Sequence, residues 1–152
     1  MKKISEDLEI ELRDATCKNF DFLYTLHRAT LKEYVEKTWG WDEAFQKEHF
    51  MQHFNPDIQQ IIVAANIDIG SISVIHENSN VFLRIIEILP AYQDRGIGTF
   101  LIEEILIRAR SENKSVLLQV LKVNRRARAL YEQMGFSISG ETETHYQMKY
   151  CL

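Results

Sequence analysis

The sequence predicts an α/β protein with a mixed sheet, its elements in the order β-α-α-β-β-β-α-β-α-β-β, as a single domain over residues 1–152. Three observations carry this. Residues 20–54 hold two stretches of helical periodicity. Residues 60–89 switch to three β-branched, isoleucine-rich runs parted by turn residues, the pattern of an antiparallel meander. The rest alternates helix and strand patterns, and a strand–helix–strand unit of that kind sets two strands parallel with a crossover helix between them.

Leu8, Ile10 and Leu12 alternate with Glu9 and Glu11, the period of a half-buried first strand, and Arg13-Asp14-Ala15-Thr16 follows as a turn. Phe20 to Glu36 carries Leu23, Leu26, Thr30 and Tyr34 at helical spacing, with Phe22 and Leu31 widening the face. Trp39-Gly40-Trp41-Asp42 breaks that helix. Asp42 is a good N-cap for a second helix reaching about Phe54, which Asn55-Pro56-Asp57 ends. The meander strands are Gln60 to Ala65, Ile69 to His76 and Val81 to Leu89, separated by Asn66-Ile67-Asp68 and Glu77-Asn78-Ser79-Asn80. Leu101, Ile102, Ile105, Leu106 and Ala109 define one face of a helix ending near Glu112-Asn113. Ser115 to Leu121 is apolar with little alternation, as a buried parallel strand is. Arg125 to Met134 is a helix with Ala127, Leu130, Tyr131 and Met134 on one face, Gly135 as its C′ residue and Phe136 as the apolar contact after it. Phe136 to Ser139 and Thr144 to Tyr150 are the closing strands; in the last, Tyr146, Met148 and Tyr150 alternate with His145, Gln147 and Lys149.

A formal charge of −4 argues against general nucleic-acid binding, which needs a basic face. Cys17 and Cys151 match no metal or redox spacing and read as two free thiols. Met1-Lys2-Lys3-Ile4-Ser5-Glu6-Asp7 has no apolar core of a signal peptide. The run Val81 to Leu89, interrupted by Arg84 and Glu87, is too short to span a bilayer. A cytoplasmic protein, without nucleic-acid or membrane partners, is expected.

Gln93-Asp94-Arg95-Gly96-Ile97-Gly98 lies between the strand Val81 to Leu89 and the helix that begins around Thr99. Free N–H groups and the positive end of a helix dipole converge there, and glycine lets the backbone approach a ligand closely; this is an anion cradle. Two familiar patterns fail: no Gly-Lys-Ser/Thr is present, and the third glycine of a dinucleotide fingerprint is replaced by Leu101. What remains is a shorter cradle beside Arg95, suited to a pyrophosphate not accompanied by Mg²⁺. Downstream, Val123-Asn124-Arg125-Arg126-Ala127-Arg128-Ala129-Leu130-Tyr131 leads to Gly135-Phe136. Asn124 opens a helix, and its amide either caps that helix or donates to a ligand lying between strands. Tyr131, taken alone, is an ordinary half-buried helix tyrosine.

Together the two segments, Q-x-x-G-x-G on a strand–loop–helix and then, about 25 residues on, V-N-x-x-A-x-x-x-Y-x-x-x-G-F, resemble the Gcn5-related N-acetyltransferase (GNAT) superfamily. Arg13-Asp14-Ala15 also looks like that family's start. The resemblance implies a GNAT-like mixed central sheet whose parallel strands, residues 81–89 and 115–121, splay apart, and acetyl-CoA as co-substrate. Gln93, Asp94, Arg95, Gly96, Ile97, Gly98 and Thr99 become the cofactor-binding loop, with N–H groups from Arg95 to Thr99 on the pyrophosphate. Pantetheine then pairs with the backbone at Ile88 and Leu89, Asn124 meets pantetheine or the adenosine side, and Tyr131 approaches the sulfur. Asp94 departs from the pattern, where a basic or small residue is common.

The implied reaction moves acetyl directly to a primary amine of a small molecule or peptide. An N–H near Ile88 stabilises the oxyanion, and Tyr131 protonates or hydrogen-bonds the leaving thiolate. The family motif does not fix a base. Glu87 is the first candidate, although strand alternation sends it to the face opposite Ile86 and Ile88, and a strand-end ion pair explains it equally well; His145 is the second. Trp39 and Trp41, with Glu36, Asp42 and Glu43 nearby, are either packing residues or an aromatic, acidic wall for a cationic amine. His49 and His53 share a helix face but lack further ligands, so no metal is expected. The alternatives are a non-catalytic CoA-binding sensor or partner module, and the same fold using another acyl-CoA. Either a monomer or a homodimer fits.

Overall fold

A computed structural model of the chain describes residues 2–5 and 8–151. Its elements are β1 (Lys2–Ser5), β2 (Leu8–Asp14), α1 (Phe20–Trp39), α2 (Glu43–His53), β3 (Gln60–Ala64), β4 (Ile67–His76), β5 (Asn80–Ile88), α3 (Ile97–Ser111), β6 (Ser115–Leu121), α4 (Arg125–Gln133), β7 (Ser137–Glu141) and β8 (His145–Tyr150). The fold is the expected mixed α/β one, with one strand more than the sequence pattern marks: β1 pairs antiparallel with β2.

The chain forms two compact units, Met1–Ser73 with Ile85–Gly98, and Val74–Arg84 with Thr99–Leu152. In the first, the strand order is β1-β2-β3-β4-β5. Register sets Arg13 opposite Ile61 and Asp14 opposite Gln60, so these two residues end β2 instead of opening the expected turn. Arg13 then reaches Asp68 at 2.9 Å. The β3–β4 connection is also shifted: Ala65 and Asn66 have φ of +50° and +63°, the left-handed pair of a two-residue hairpin. Ile67 and Asp68, expected in the turn, begin β4. Two helices pack on these strands. Asp42 caps α2 as expected, accepting from the Phe45 N–H at 3.0 Å. Leu23 and Leu26 of α1 are buried with Ala15, Ile61 and Val63, and Phe22, Phe50, Phe54 and Leu89 close around them. Phe20 meets Phe50 and Phe54 edge-on, at 5.6 and 5.2 Å between ring centroids.

Gly70 of β4 has a reason to be glycine. A Cβ there would stand 2.4 Å from the Glu87 carbonyl oxygen and 3.3 Å from the Ile88 Cα. The missing side chain lets β4 close onto the end of β5.

In the second unit the order is β5-β6-β8-β7. β5 and β6 are parallel, paired at Asn80↔Ser115, Val81↔Val116 and Phe82↔Leu117. The ladder ends there, although β6 continues to Leu121. β8 runs antiparallel to β6 along its whole length, Leu118 facing the fully buried Met148. Gly135 carries φ +102° at the end of α4, the expected C′ position, and its N–H reaches the Glu132 carbonyl at 3.1 Å. Phe136 precedes β7 instead of starting it; it is buried, 5.7 Å from the Tyr150 ring centroid. No helix of the described residues is long and apolar enough to cross a membrane.

Gly70→Ala forces either β4 or the backbone at Glu87–Ile88 to move. We expect it to remove about 1–3 kcal/mol of unfolding free energy, read as a lower urea midpoint at unchanged slope.

Candidate functional site

The candidate residues of the first unit gather where β5 ends. Leu89 donates its N–H to the Ile69 carbonyl of β4 at 2.8 Å. Backbone groups of a strand point alternately to its two edges, so the neighbouring Ile88 turns its own N–H to the other edge. Of this pair, Ile88 offers a backbone donor there, whereas the Leu89 N–H is spent on the sheet. The Ile88 carbonyl accepts from Gln93 Nε2 at 2.9 Å. Gln93 thus ties the loop back onto the strand end, after one tight turn at Pro90–Tyr92.

The loop then takes the conformation of an anion cradle. Asp94 and Gly96 both have positive φ, +63° and +81°, on either side of Arg95. Alternating handedness of this kind turns successive N–H groups towards one point. Asp94 departs from the family pattern because the turn needs a left-handed residue, a role aspartate fills more readily than most. Arg95 lays its guanidinium over the Tyr92 ring, 5.2 Å from its centroid. α3 begins at the buried Ile97, with no acidic residue in its first turn. Gly98, expected in the loop, is therefore helical. A Cβ on it would meet only Ile88 Cδ1, at an ordinary 3.6 Å. Nothing in the fold requires glycine there, and a glycine inside a helix costs up to about 1 kcal/mol relative to alanine.

Glu87 turns away from this loop, as strand alternation demands, and meets α1. The Thr30 hydroxyl lies 2.6 Å from Glu87 Oε2, and His27 Nδ1 lies 3.3 Å from the same oxygen. The Glu87 side chain is 9% exposed. His27 Nδ1 is buried and aligned for a hydrogen bond with no described atom, while its ring leans on Phe50 at 5.2 Å. The strand-end ion pair with Arg or Lys that would explain Glu87 structurally is not among its described contacts; its partners are a histidine and a hydroxyl. Neither partner stands out in the sequence. Thr30 counts there as part of the apolar stripe of α1, and His27 sits one residue outside it. The available signal is a polar pair three apart on a helix face that is otherwise buried.

Trp39 and Trp41 lie at the junction of α1 and α2. With Gly40, Asp42, Phe45 and Gln46 they line a shallow surface depression of about 260 Å³. Trp39 and Phe45 are 59% and 61% exposed. The acidic groups beside them are engaged. Asp42 is the cap of α2, and Glu43 binds Arg28 at 3.0 Å and the Tyr24 hydroxyl at 3.2 Å. It also accepts from the Trp41 indole N–H, the largest of the contacts that lower its pKa. The aromatic part of the expected wall is present, and of its three carboxylates Glu43 is paired with Arg28.

The candidate residues of the second unit lie on α4 and β8. Asn124 Oδ1 accepts from the Ala127 N–H at 3.1 Å, which caps α4. With its oxygen turned to the helix, Asn124 has its Nδ2 as a donor. Tyr131 stacks edge-on against Phe136, 5.9 Å between centroids. Burial of its phenol raises the pKa from 10.0 to about 12. His145 Nδ1 lies 2.8 Å from the Thr144 hydroxyl, and burial lowers its pKa. His49 and His53 stand 4.3 Å apart between centroids, and no group of three metal-binding side chains occurs among the described residues.

The model of the acetyltransferase (GNAT) family matches residues 20–136. No curated protein matches the sequence closely enough to name a relative. Among solved structures, the chain is similar to the PaiA N-acetyltransferase of Thermoplasma acidophilum in complex with coenzyme A, with 18% identity, a TM-score of 0.74, and 95% of this chain and 99% of that one covered. An acetyltransferase of Thermus thermophilus gives 16% identity and a TM-score of 0.75 over 96% and 99%. Naa50 of Arabidopsis thaliana, in complex with the bisubstrate analogue CoA-Ac-MVNAL, gives 18% and 0.64 over 94% and 99%. These likenesses concern the fold.

The Tyr131 phenol keeps its proton to about pH 12 in the folded chain and would release it near pH 10 once unfolded. Its contribution to stability is full below pH 10 and is lost as pH rises from there towards 12. Tyr131→Phe should spare the fold about 1 kcal/mol of alkaline loss between pH 10 and 11, measured by urea unfolding at both values.

Proposed function

The chain belongs to the acetyltransferase (GNAT) family, and on that premise we propose that it is an acetyl-CoA-dependent N-acetyltransferase acting on a primary amine. The observation that carries this reading is the end of β5. Ile88 turns its N–H to the edge away from β4, and the next residues form a turn with left-handed positions that leads into a helix whose second residue, Gly98, is glycine without steric need. Room kept open at a helix start, with no carboxylate in the first turn, suits a pyrophosphate. The complexes of PaiA with coenzyme A and of Naa50 with a CoA–acetyl–peptide conjugate support the same ligand class.

Bound acetyl-CoA supplies an activated acetyl thioester. The N–H groups of Arg95, Gly96, Ile97, Gly98 and Thr99 hold its diphosphate, with Arg95 adding positive charge. Asn124 Nδ2 donates to an amide of the pantetheine arm, which enters where the β5–β6 ladder stops after Phe82 and Leu117. Ile88 N–H donates to the carbonyl oxygen as charge develops on it. Glu87 takes one proton of the acceptor ammonium, and the second leaves the nitrogen as the amide forms and goes to the departing thiolate. Tyr131 donates a hydrogen bond to the departing sulfur; at a pKa of about 12 it holds its proton more firmly than a thiol near 8.5 does, so full transfer is uphill. Exposed Trp39 and Phe45 offer an aromatic face to the acceptor, and because Glu43 is already paired with Arg28, that face selects for shape more than for cationic charge.

Gly98→Ala separates cofactor binding from folding. It should leave the thermal midpoint of the free protein unchanged or higher, and weaken acetyl-CoA at least tenfold by titration calorimetry. An unchanged affinity would remove the diphosphate from this loop. Thiol release from acetyl-CoA should occur with a member of a panel containing spermidine, kanamycin, lysine and a peptide with a free amino terminus. Glu87→Gln should lower kcat on that acceptor about 100-fold or more, with little change in acetyl-CoA affinity. Saturable binding of acetyl-CoA without turnover on the whole panel would favour a CoA-binding module.

A further inference from the structure

We propose that Thr30 is a positioning residue for Glu87: its single hydroxyl proton switches between the Leu26 carbonyl and the Glu87 carboxylate, so that Glu87 gains and loses a proton without losing its hydrogen bond to α1. The proposal deepens the reading above and rests on Glu87 being the proton acceptor.

The geometry around Thr30 Oγ1 requires such a switch. The hydroxyl has one proton. It stands 2.6 Å from Glu87 Oε2 and 3.0 Å from the Leu26 carbonyl oxygen, one turn earlier on the same helix. The His27 carbonyl oxygen lies at 3.3 Å, so three acceptors surround the hydroxyl when Glu87 is ionised, and its one proton goes to one of them at a time. With Glu87 ionised, the charge-assisted bond at 2.6 Å is the stronger, and Thr30 donates to the carboxylate. With Glu87 protonated, the acid O–H donates to Thr30 Oγ1, and the threonine proton turns to the Leu26 carbonyl. Each state keeps the Thr30–Glu87 bond. One proton leaves the acceptor ammonium nitrogen and one arrives on Glu87; the threonine hydroxyl only reverses its direction.

A carboxylate this enclosed, at 9% exposure, would otherwise lose a bond whenever it changed protonation state, at a cost of about 1–3 kcal/mol for an unsatisfied buried group. His27 completes the arrangement from α1, with Nδ1 3.3 Å from the same Oε2. α1 and α2 also carry Tyr24, Arg28, Glu43 and Lys47. Tyr24 and Arg28 each bond Glu43, and Lys47 lies 6.0 Å from the Tyr24 ring centroid. Thr30 is thus the neighbour of Glu87 that changes direction without changing charge.

The test is a titration of the full chain labelled with ¹³C, following the Glu87 side-chain carboxyl signal, which is identified by its absence from Glu87→Gln. Thr30→Val has nearly the shape of threonine and no hydroxyl. It should move the titration midpoint of that signal to higher pH, because the carboxylate loses a donor. Thr30→Ser should keep the wild-type midpoint. Thr30→Ala repeats the measurement should the valine variant not fold. A midpoint unchanged or lowered in the folded hydroxyl-free variant, or a serine variant shifted as far as valine, would overturn the proposal. The role of Glu87 as base fails separately, through undiminished turnover by Glu87→Gln, and leaves the titration result standing.

Discussion

Strand alternation at the end of β5 is the constraint on which the candidate site depends. Three consecutive residues meet three different demands. Glu87 sends its side chain to α1, Ile88 turns its N–H to the open edge and its side chain towards the start of α3, and Leu89 spends its N–H on β4. A slip of one residue would exchange all three assignments. Gly70 holds the register, because only a residue without a side chain lets β4 approach the Glu87 carbonyl so closely. Gln93 holds it from the other side through its bond to the Ile88 carbonyl. The proposed base and the proposed cofactor loop therefore adjoin one strand end, on different sides of it.

Much of this is legible in the sequence, and the reasons for the exceptions are physical. Periodicity locates α1, α2 and the three meander strands, because each buries one clear face. The β3–β4 turn falls earlier than its residues suggest because Ala65, which carries no left-handed signature, takes φ +50° there. β1 leaves no pattern because Lys2-Lys3-Ile4-Ser5 has too few apolar residues to show a period. Gly98 reads as loop because glycine usually ends regular structure; here it lies inside the helix, and only the space around its Cα distinguishes a ligand contact from a turn. Glu87 can be picked out as an acid at a strand end, but its partners cannot. Thr30 and His27 lie more than fifty positions earlier in the chain, and no local pattern links them to it.

The electrostatics of the junction between α1 and α2 also differ from what composition suggests. Acidic and aromatic residues crowded into a short segment read as a cation-binding wall, yet Asp42 serves as a helix cap and Glu43 is bound by Arg28, Tyr24 and Trp41. Charge in a sequence counts for recognition only after structural bonds have taken their share. Trp39 and Phe45 add exposed aromatic surface beside these bonded carboxylates.

The central proposal, that the loop after β5 holds the diphosphate of acetyl-CoA, is tested most directly by following backbone amide resonances of ¹⁵N-labelled protein during titration with acetyl-CoA. The account predicts saturable shifts, with a common dissociation constant, at Ile88, Arg95, Gly96, Ile97 and Gly98. Saturable binding that leaves the amides of Gly96 and Gly98 unmoved, or no binding at millimolar acetyl-CoA, would contradict it.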